Sequence, residues 1–266
     1  GEGDLRMQNP YWIAYRNLRT NYKKRYMLSA SLSYDVTDWF NVSGRVRVDN
    51  SNTKYEEKLY ASSNPTLTEG STQGFYAISK PDETQIYADV LANINKRFGN
   101  YSLVVNVGAS IVDNKYDELS YRGPIRANGI PNVFNVFDLD NTQKKARQDE
   151  WEEQTQSVFA SAELGWKSML YLTLTGRNDW ASQLANSSTS SFFYPSVGIS
   201  ALISEMMKLP EWVDFLKVRG SFSSVGMPYP RNLTSPTYEY DETTQTWKPK
   251  THYPIGDLKP ERTNSW

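Results

Sequence analysis

The sequence predicts an all-β protein, a transmembrane antiparallel up-and-down β-barrel represented here by a section of about eight strands. Apolar and polar residues alternate with a period of two over long runs. Connections between the runs are alternately short and long. Aromatic residues flank every short connection.

The first run shows the alternation clearly. From Tyr22 to Val36 the even positions are Tyr22, Lys24, Tyr26, Leu28, Ala30, Leu32, Tyr34 and Val36, whereas the odd ones are polar except Met27. Successive side chains of a strand point to opposite faces, so one face is apolar and the other carries Ser29, Ser31, Ser33 and Asp35. After a turn at Asp35–Asp38 the pattern returns, with Phe40, Val42, Gly44, Val46 and Val48 opposed to Asn41, Ser43, Arg45, Arg47 and Asp49. The two runs read as a hairpin.

The unit recurs. Ile86, Ala88, Val90, Ala92 and Ile94 lead to a turn at Arg97–Asn100, and Tyr101, Leu103, Val105, Val107 and Ala109 return. Val158, Ala160, Ala162, Leu164 and Trp166 lead to a turn near Lys167, after which Leu170, Leu172, Leu174 and Gly176 oppose Tyr171, Thr173, Thr175 and Arg177. The last hairpin pairs Phe193, Pro195, Val197, Ile199 and Ala201 with Leu216, Val218, Gly220 and Phe222. Its connection, Ser204–Leu216, carries Met206, Met207, Leu209, Trp212, Val213 and Leu216, a spacing that suggests a short amphipathic helix at the membrane surface or, the favoured reading, a structured turn whose apolar side packs on the rim.

Long polar stretches fall at about 49–84, 112–151, 180–191 and 226–258, and hold most of the Asn, Ser, Thr, Gly and Pro. One end of the sheet is therefore tight and the other elaborated, as in barrels with short periplasmic turns and long extracellular loops. Aromatics fit this frame. Trp39 and Phe40, Phe98 and Tyr101, Trp166 and Tyr171, and Trp212 and Phe215 bracket the short connections as one membrane girdle. Tyr22, Trp180, Phe192, Phe193 and Tyr194 stand at the opposite strand ends as a second. Aromatics reach 14% of the chain while mean hydropathy is -0.64, a pairing that suits amphipathic rings at a lipid–water boundary better than a Leu-filled core.

Other classes are disfavoured. A formal net charge of -1, from 29 Lys and Arg against 30 Asp and Glu, provides no basic field for nucleic acid. Absence of cysteine excludes disulfides and thiolate metal sites. No apolar run is long enough for a transmembrane helix, and Gly1–Pro10 has no signal-peptide pattern, which predicts a processed start or a section of a longer chain. Two alternatives produce similar alternation: a soluble carbohydrate-binding sandwich, whose apolar face would lie under a second layer, and a small self-contained barrel serving as an adhesin or anchor, whose sheet would close on itself.

Several strings together resemble the barrel region of SusC/RagA-type TonB-dependent outer-membrane transporters. They are NPYW at Asn9–Trp12, LSYDVTDWFNVSGRV at Leu32–Val46, TGRNDWAS at Thr175–Ser182, FFYPSVGIS at Phe192–Ser200, WVDFLKVRGSFSSVG at Trp212–Gly226 and LKPERTNSW at Leu258–Trp266. The resemblance implies a middle section of a barrel of about 22 strands around a plug, with LKPERTNSW approaching a ninth strand. It further implies energy-coupled import of a bulky nutrient, an oligosaccharide or peptide, at the outer membrane. The implied partners are a SusD-like surface lipoprotein and the TonB complex, and no catalysis is expected.

Candidate binding residues follow from position. Arg45, Arg47, Asp49, Arg177 and Asp179 lie in the polar rows, where they would meet a plug or ligand. Tyr116, Tyr121, Phe134, Phe137, Tyr229, Tyr238, Tyr240 and Trp247 lie in loop stretches, where rings stack on sugars or dock a lid. His252 is the only histidine and reads as a solvated loop residue, so neither a His triad nor a His-rich metal site can form. Loop carboxylates Asp49, Asp113, Asp117, Asp138, Asp140 and Asp149 offer oxygens suited to Ca²⁺, though without EF-hand spacing. No other cofactor is expected.

Overall fold

A computed structural model describes residues 9–210, 212–227, 229–241, 243–250, 254–256, 259 and 261–266. His252 lies outside these residues. The chain forms one nine-stranded sheet in the order β1 (Asn17–Thr37), β2 (Phe40–Tyr60), β3 (Gly74–Phe98), β4 (Tyr101–Pro124), β5 (Lys145–Trp166), β6 (Leu170–Ala181), β7 (Phe192–Leu202), β8 (Lys217–Met227) and β11 (Glu261–Ser265). From β1 to β8 each strand pairs with the next in sequence, which is the up-and-down order. β9 (Tyr238–Asp241) and β10 (Thr246–Pro249) form a separate antiparallel hairpin. A helix, α1 (Pro10–Arg16), precedes the sheet. Asn9 caps it by accepting from the Tyr11 N–H, and proline occupies its first position, where no N–H partner is needed.

Short turns use the backbone conformations such hairpins demand. Gly99 adopts φ +58° between β3 and β4, and Lys167 and Ser168 adopt φ 49° and 57° between β5 and β6. Register then places like with like. The row Ala162, Leu174, Val197 and Phe222 runs across β5 to β8 on one face, and Ser161, Thr175, Ser196, Ser223 and Ser265 run across β5 to β11 on the other. The apolar rows are exposed: Leu32 is 78% accessible and Ile199 52%. In the structure β1 and β11 are the terminal members of the sheet order, so the described residues form neither a closed barrel nor a sandwich. None of the described helices is long and apolar enough to cross a membrane.

Several extents differ from the sequence expectation. β1 begins at Asn17 rather than Tyr22, β2 runs to Tyr60, β3 starts at Gly74, β4 reaches Pro124 and β5 starts at Lys145. The expected loops 49–84 and 112–151 therefore shrink to 61–73 and 125–144. In these extensions neither face needs to be apolar, so the backbone ladder continues through segments with no alternation. Asn50, for example, donates to both Asp82 and Thr84 at 2.8 Å from a β2 position next to Asp49. The 226–258 stretch holds the β9–β10 hairpin, and the stretch expected at 180–191 is the 182–191 connection between β6 and β7. The amphipathic helix suggested over Ser204–Leu216 contracts to one turn, α2 (Ile203–Met206), because Pro210 interrupts the segment. The approach to a ninth strand is realised as β11, paired with β8 despite lacking alternation.

The chain divides into two compact units. One comprises Gly1–Met27, Asp49–Gln85 and Asn114–Glu152; the other comprises Leu28–Val48, Ile86–Asp113 and Glu153–Trp266. The first has a buried loop core. Phe75, Ile125 and Leu139 are 1–2% accessible, Ile125 bridges to Leu139, and Phe134 packs on Tyr60 and Tyr76 with ring centroids 5.0 and 6.2 Å apart. Ser71 Oγ donates to the Ile125 carbonyl at 2.6 Å, and the Ala61 N–H donates to Asn132 Oδ1 at 2.7 Å, satisfying polar groups that this packing takes from water. The second unit has a small buried cluster, Ala181, Leu184 and Phe192, with Tyr194 and Tyr229 against it.

Candidate functional site

The polar face of the sheet carries the convergent side chains. On its β2–β3 part Arg45 donates to Asp89 through Nε at 2.9 Å and through Nη2 at 2.8 Å. The guanidinium carbons of Arg45 and Arg47 lie 5.3 and 5.4 Å from the Tyr87 ring centroid. Alternation places Arg45, Arg47, Tyr87 and Asp89 on one face, and strand pairing brings them level. Asp49 is engaged by Arg25, whose Nε and Nη2 donate to its two carboxylate oxygens at 2.8 and 2.6 Å, a two-point pairing that fixes both side chains.

On β5 to β7 a second cluster forms. Arg177 donates to Asp179 at 2.7 Å and to Ser157 Oγ at 2.8 Å, while Tyr194 donates to the other oxygen of Asp179 at 2.9 Å. The Arg177 guanidinium lies 5.8 Å from the Phe159 ring. Register accounts for this grouping, since Asp179 opposes Ser157 and Arg177 opposes both Phe159 and Tyr194. Phe159 lies over Gly108, where an added Cβ would sit 2.6 Å from the ring. Between the clusters runs an uncharged row in which Asn93 donates to Asn106, Asn106 donates to Ser161, and the Thr175 and Ser196 hydroxyls bond to each other. A face of this kind presents hydrated donors, acceptors and paired charges to whatever lies against it.

The candidates are therefore brought together as two clusters, Arg45 with Arg47 and Arg177 with Asp179, while Asp49 is held by Arg25. Sequence reasoning missed Arg25, Tyr87, Asp89, Ser157 and Tyr194. Reflecting β5 and β6 about their turn would have found Ser157 opposite Asp179.

The aromatics divide more sharply than expected. Trp39 and Phe40 lie 6.1 Å apart and Phe98 and Tyr101 5.9 Å apart around their turns, and Trp166 is partly exposed beside its own. Trp212 and Phe215 project from the β7–β8 connection and are highly accessible. Tyr171, expected in the girdle, stands on the polar face instead: it opposes Gly165 and Ser200, and its ring occupies the space above Gly165. Phe192 and Tyr194 likewise turn away from the second girdle. Phe192 opposes Asp179 and is buried, while Phe193 opposes Asn178 and remains exposed. A one-residue step reverses the face, so three consecutive aromatics cannot all face lipid.

Loop aromatics also separate. Phe134 is enclosed by Tyr60 and Tyr76 and is part of a core rather than a free surface. Tyr116 lies on β4, stacked on Trp151 at 5.3 Å and 11°, and donates to Glu118 at 2.5 Å; burial and that carboxylate push its phenol up to about 12. Tyr121 also lies on β4, half-buried, and Phe137 is highly exposed. Tyr238, Tyr240 and Trp247 share one face of the β9–β10 hairpin, with Tyr240 edge-on to Trp247 at 5.4 Å. The carboxylates considered for Ca²⁺ go to separate partners. Asp138 takes Arg126 and Asn135, Asp140 takes the Thr142 N–H and hydroxyl, Asp149 takes Arg147, and Asp113 takes Gln154. Among the described residues no three His, Cys, Asp or Glu converge on one point.

Comparison with known proteins agrees with this architecture. The RagAB peptide importer in its open-open state superposes with a TM-score of 0.78 over 96% of this chain and 28% of that one, at 16% identity. Its closed-closed state gives 0.76 over the same shares. The siderophore receptor PiuA from Acinetobacter baumannii gives 0.53 over 93% of this chain and 37% of that one, at 14% identity. The chain thus spans little more than a quarter of the length of the RagAB chain it matches. No curated protein matches it by sequence. The family model for the TonB dependent receptor-like β-barrel matches residues 2–266, and the chain belongs to that family of outer-membrane β-barrels.

Proposed function

We propose that this chain is a wall section of an outer-membrane importer that takes up a bulky nutrient, a peptide or oligosaccharide, by TonB-coupled transport beneath a SusD-like lipoprotein lid. The single observation that carries the reading is the polar face: charged clusters at Arg45–Asp89 and Arg177–Asp179, joined by an amide and hydroxyl row, on the side of the sheet opposite the exposed apolar rows. Such a face suits a hydrated interior filled by a plug. Membership of the TonB-dependent receptor-like family supports energy coupling, and similarity to a peptide importer supports a peptide-sized cargo.

In this reading Arg45, Arg47, Asp49, Arg177 and Asp179 hold the plug, and Tyr238, Tyr240 and Trp247 meet the lid or cargo. Uptake of labelled oligopeptides and oligosaccharides by cells with and without the intact protein tests it. One cargo class should enter only when both the protein and TonB are present. Equal uptake of both classes after deletion of either would sink the proposal.

A further inference from the structure

Lys96 and Lys167 differ from the arginines of the polar face in what they touch. Arg25, Arg45 and Arg177 each face a carboxylate. Lys96 Nζ instead lies 4.9 Å from the ring centroid of Trp39, and Lys167 Nζ lies 5.1 Å from that of Trp166. Among the described residues neither lysine has a carboxylate partner, and both are exposed.

Both belong to the short-turn end of the sheet, where the turns are tied together. The Asn95 N–H donates to the Trp39 carbonyl at 2.9 Å, and the Lys167 N–H donates to the Asn100 carbonyl at 2.7 Å. Trp39, Lys96, Phe98, Tyr101, Trp166 and Lys167 therefore form one ribbon at the margin of the apolar rows. Nearby acids do not neutralise it. Asp35 accepts from Asn41, Glu163 accepts from Thr173, and Asp38 lies in the first turn without an ion pair to either lysine.

An ammonium resting on an indole keeps its N–H donors available, and the stacking alone is a weak anchor at an exposed site. At the depth of an aromatic girdle, the anion within reach is the phosphate of a lipid headgroup, and lysines there extend toward it. Charge complementarity and continuity with the lipid-facing rows point to the same occupant. We propose that this ribbon is a binding site for anionic phospholipid in the leaflet at the short-turn end, with Lys96 and Lys167 each donating to a headgroup phosphate above its tryptophan. The site is separate from the import path and requires only that the apolar rows face lipid.

The test is native mass spectrometry of the intact protein in nonionic detergent with dioleoyl phosphatidylglycerol or dioleoyl phosphatidylcholine added. Phosphatidylglycerol should be retained preferentially. Lys96→Gln and Lys167→Gln should each weaken that retention about fivefold, and the double variant roughly twenty-five-fold, as expected for one surface cation each. Lys96→Arg with Lys167→Arg should keep it. Unheated gel mobility reports whether each barrel is folded, and the single variants decide the matter if the double one does not refold. Equal retention of the two lipids, or unchanged phosphatidylglycerol retention in folded Gln variants, would overturn the proposal.

Discussion

In the unit containing Asp49–Gln85 and Asn114–Glu152, Phe75, Ile125 and Leu139 are almost wholly enclosed; in the other unit Leu32 and Ile199 are mostly open, and Val90 is 58% accessible. Both units are built of strands. What differs is the medium. Side chains facing water must be covered by protein, so the first unit folds its loops 61–73 and 125–144 into a core with their polar groups satisfied. Side chains facing hydrocarbon are already in an apolar medium, so the second unit leaves modest Ala, Val, Leu and Ile in open rows and saturates only the backbone. Exposure of a leucine therefore has opposite meanings in the two regions.

The comparison can be broken most directly at Phe75. Phe75→Ala leaves a cavity in a closed core and should cost that unit about 3–5 kcal/mol. Amide hydrogen exchange of the intact protein should speed up in 61–73 and 125–144 and stay unchanged in β6 to β8; protection lost equally in both regions would mean the two do not pack independently. A slightly smaller effect should come from reversing the outer face. Leu174→Arg places a charge among the exposed rows and should cost about 2–4 kcal/mol near the bilayer centre. Thr175→Arg, one residue away on the polar face, should cost far less. Refolding yield into lipid vesicles, read as the unheated folded band, separates the two, and equal losses would contradict the assignment of faces.

The smallest expected effect is an acid sensitivity of the first unit centred on Glu118. Hydrogen bonds from Ser79 and Tyr116 lower the Glu118 carboxyl below its ordinary 4.5. A depressed acid contributes stability above its unfolded value, and that contribution disappears as pH falls through the folded value. Hydrogen exchange around β3 and β4 should therefore accelerate below about pH 4.5, and Glu118→Gln should remove that pH dependence. Acid acceleration that persists in the Gln variant would assign it to another group.

Legibility followed the same division. Period-two alternation made β6 and β7 readable to within a few residues, because one face had to be apolar and the other polar. The outer parts of β2 to β5 were read as loops, since Asn50, Asp82 and their neighbours are wetted on both faces and carry no period. Parity already contained the position of Tyr171: it alternates with Leu170 and Leu172, so bracketing a turn was a weaker guide than counting faces. Phe134 was misjudged for a different reason. Nothing local distinguishes a ring reserved for a ligand from one that Tyr60 and Tyr76 will enclose.

By itself the amino-acid sequence determined the class of sheet, its meander order, the side of each central strand that meets lipid, and the polar rows holding Arg45 and Arg177. Those features follow from short-range alternation, which any strand must obey. Only the tertiary structure decided which charges pair, how far the strands extend beyond the apolar rows, and which aromatics are buried. These depend on register and on contacts between residues distant in the chain, such as Ile125 with Leu139 or Arg25 with Asp49, and no local pattern encodes them.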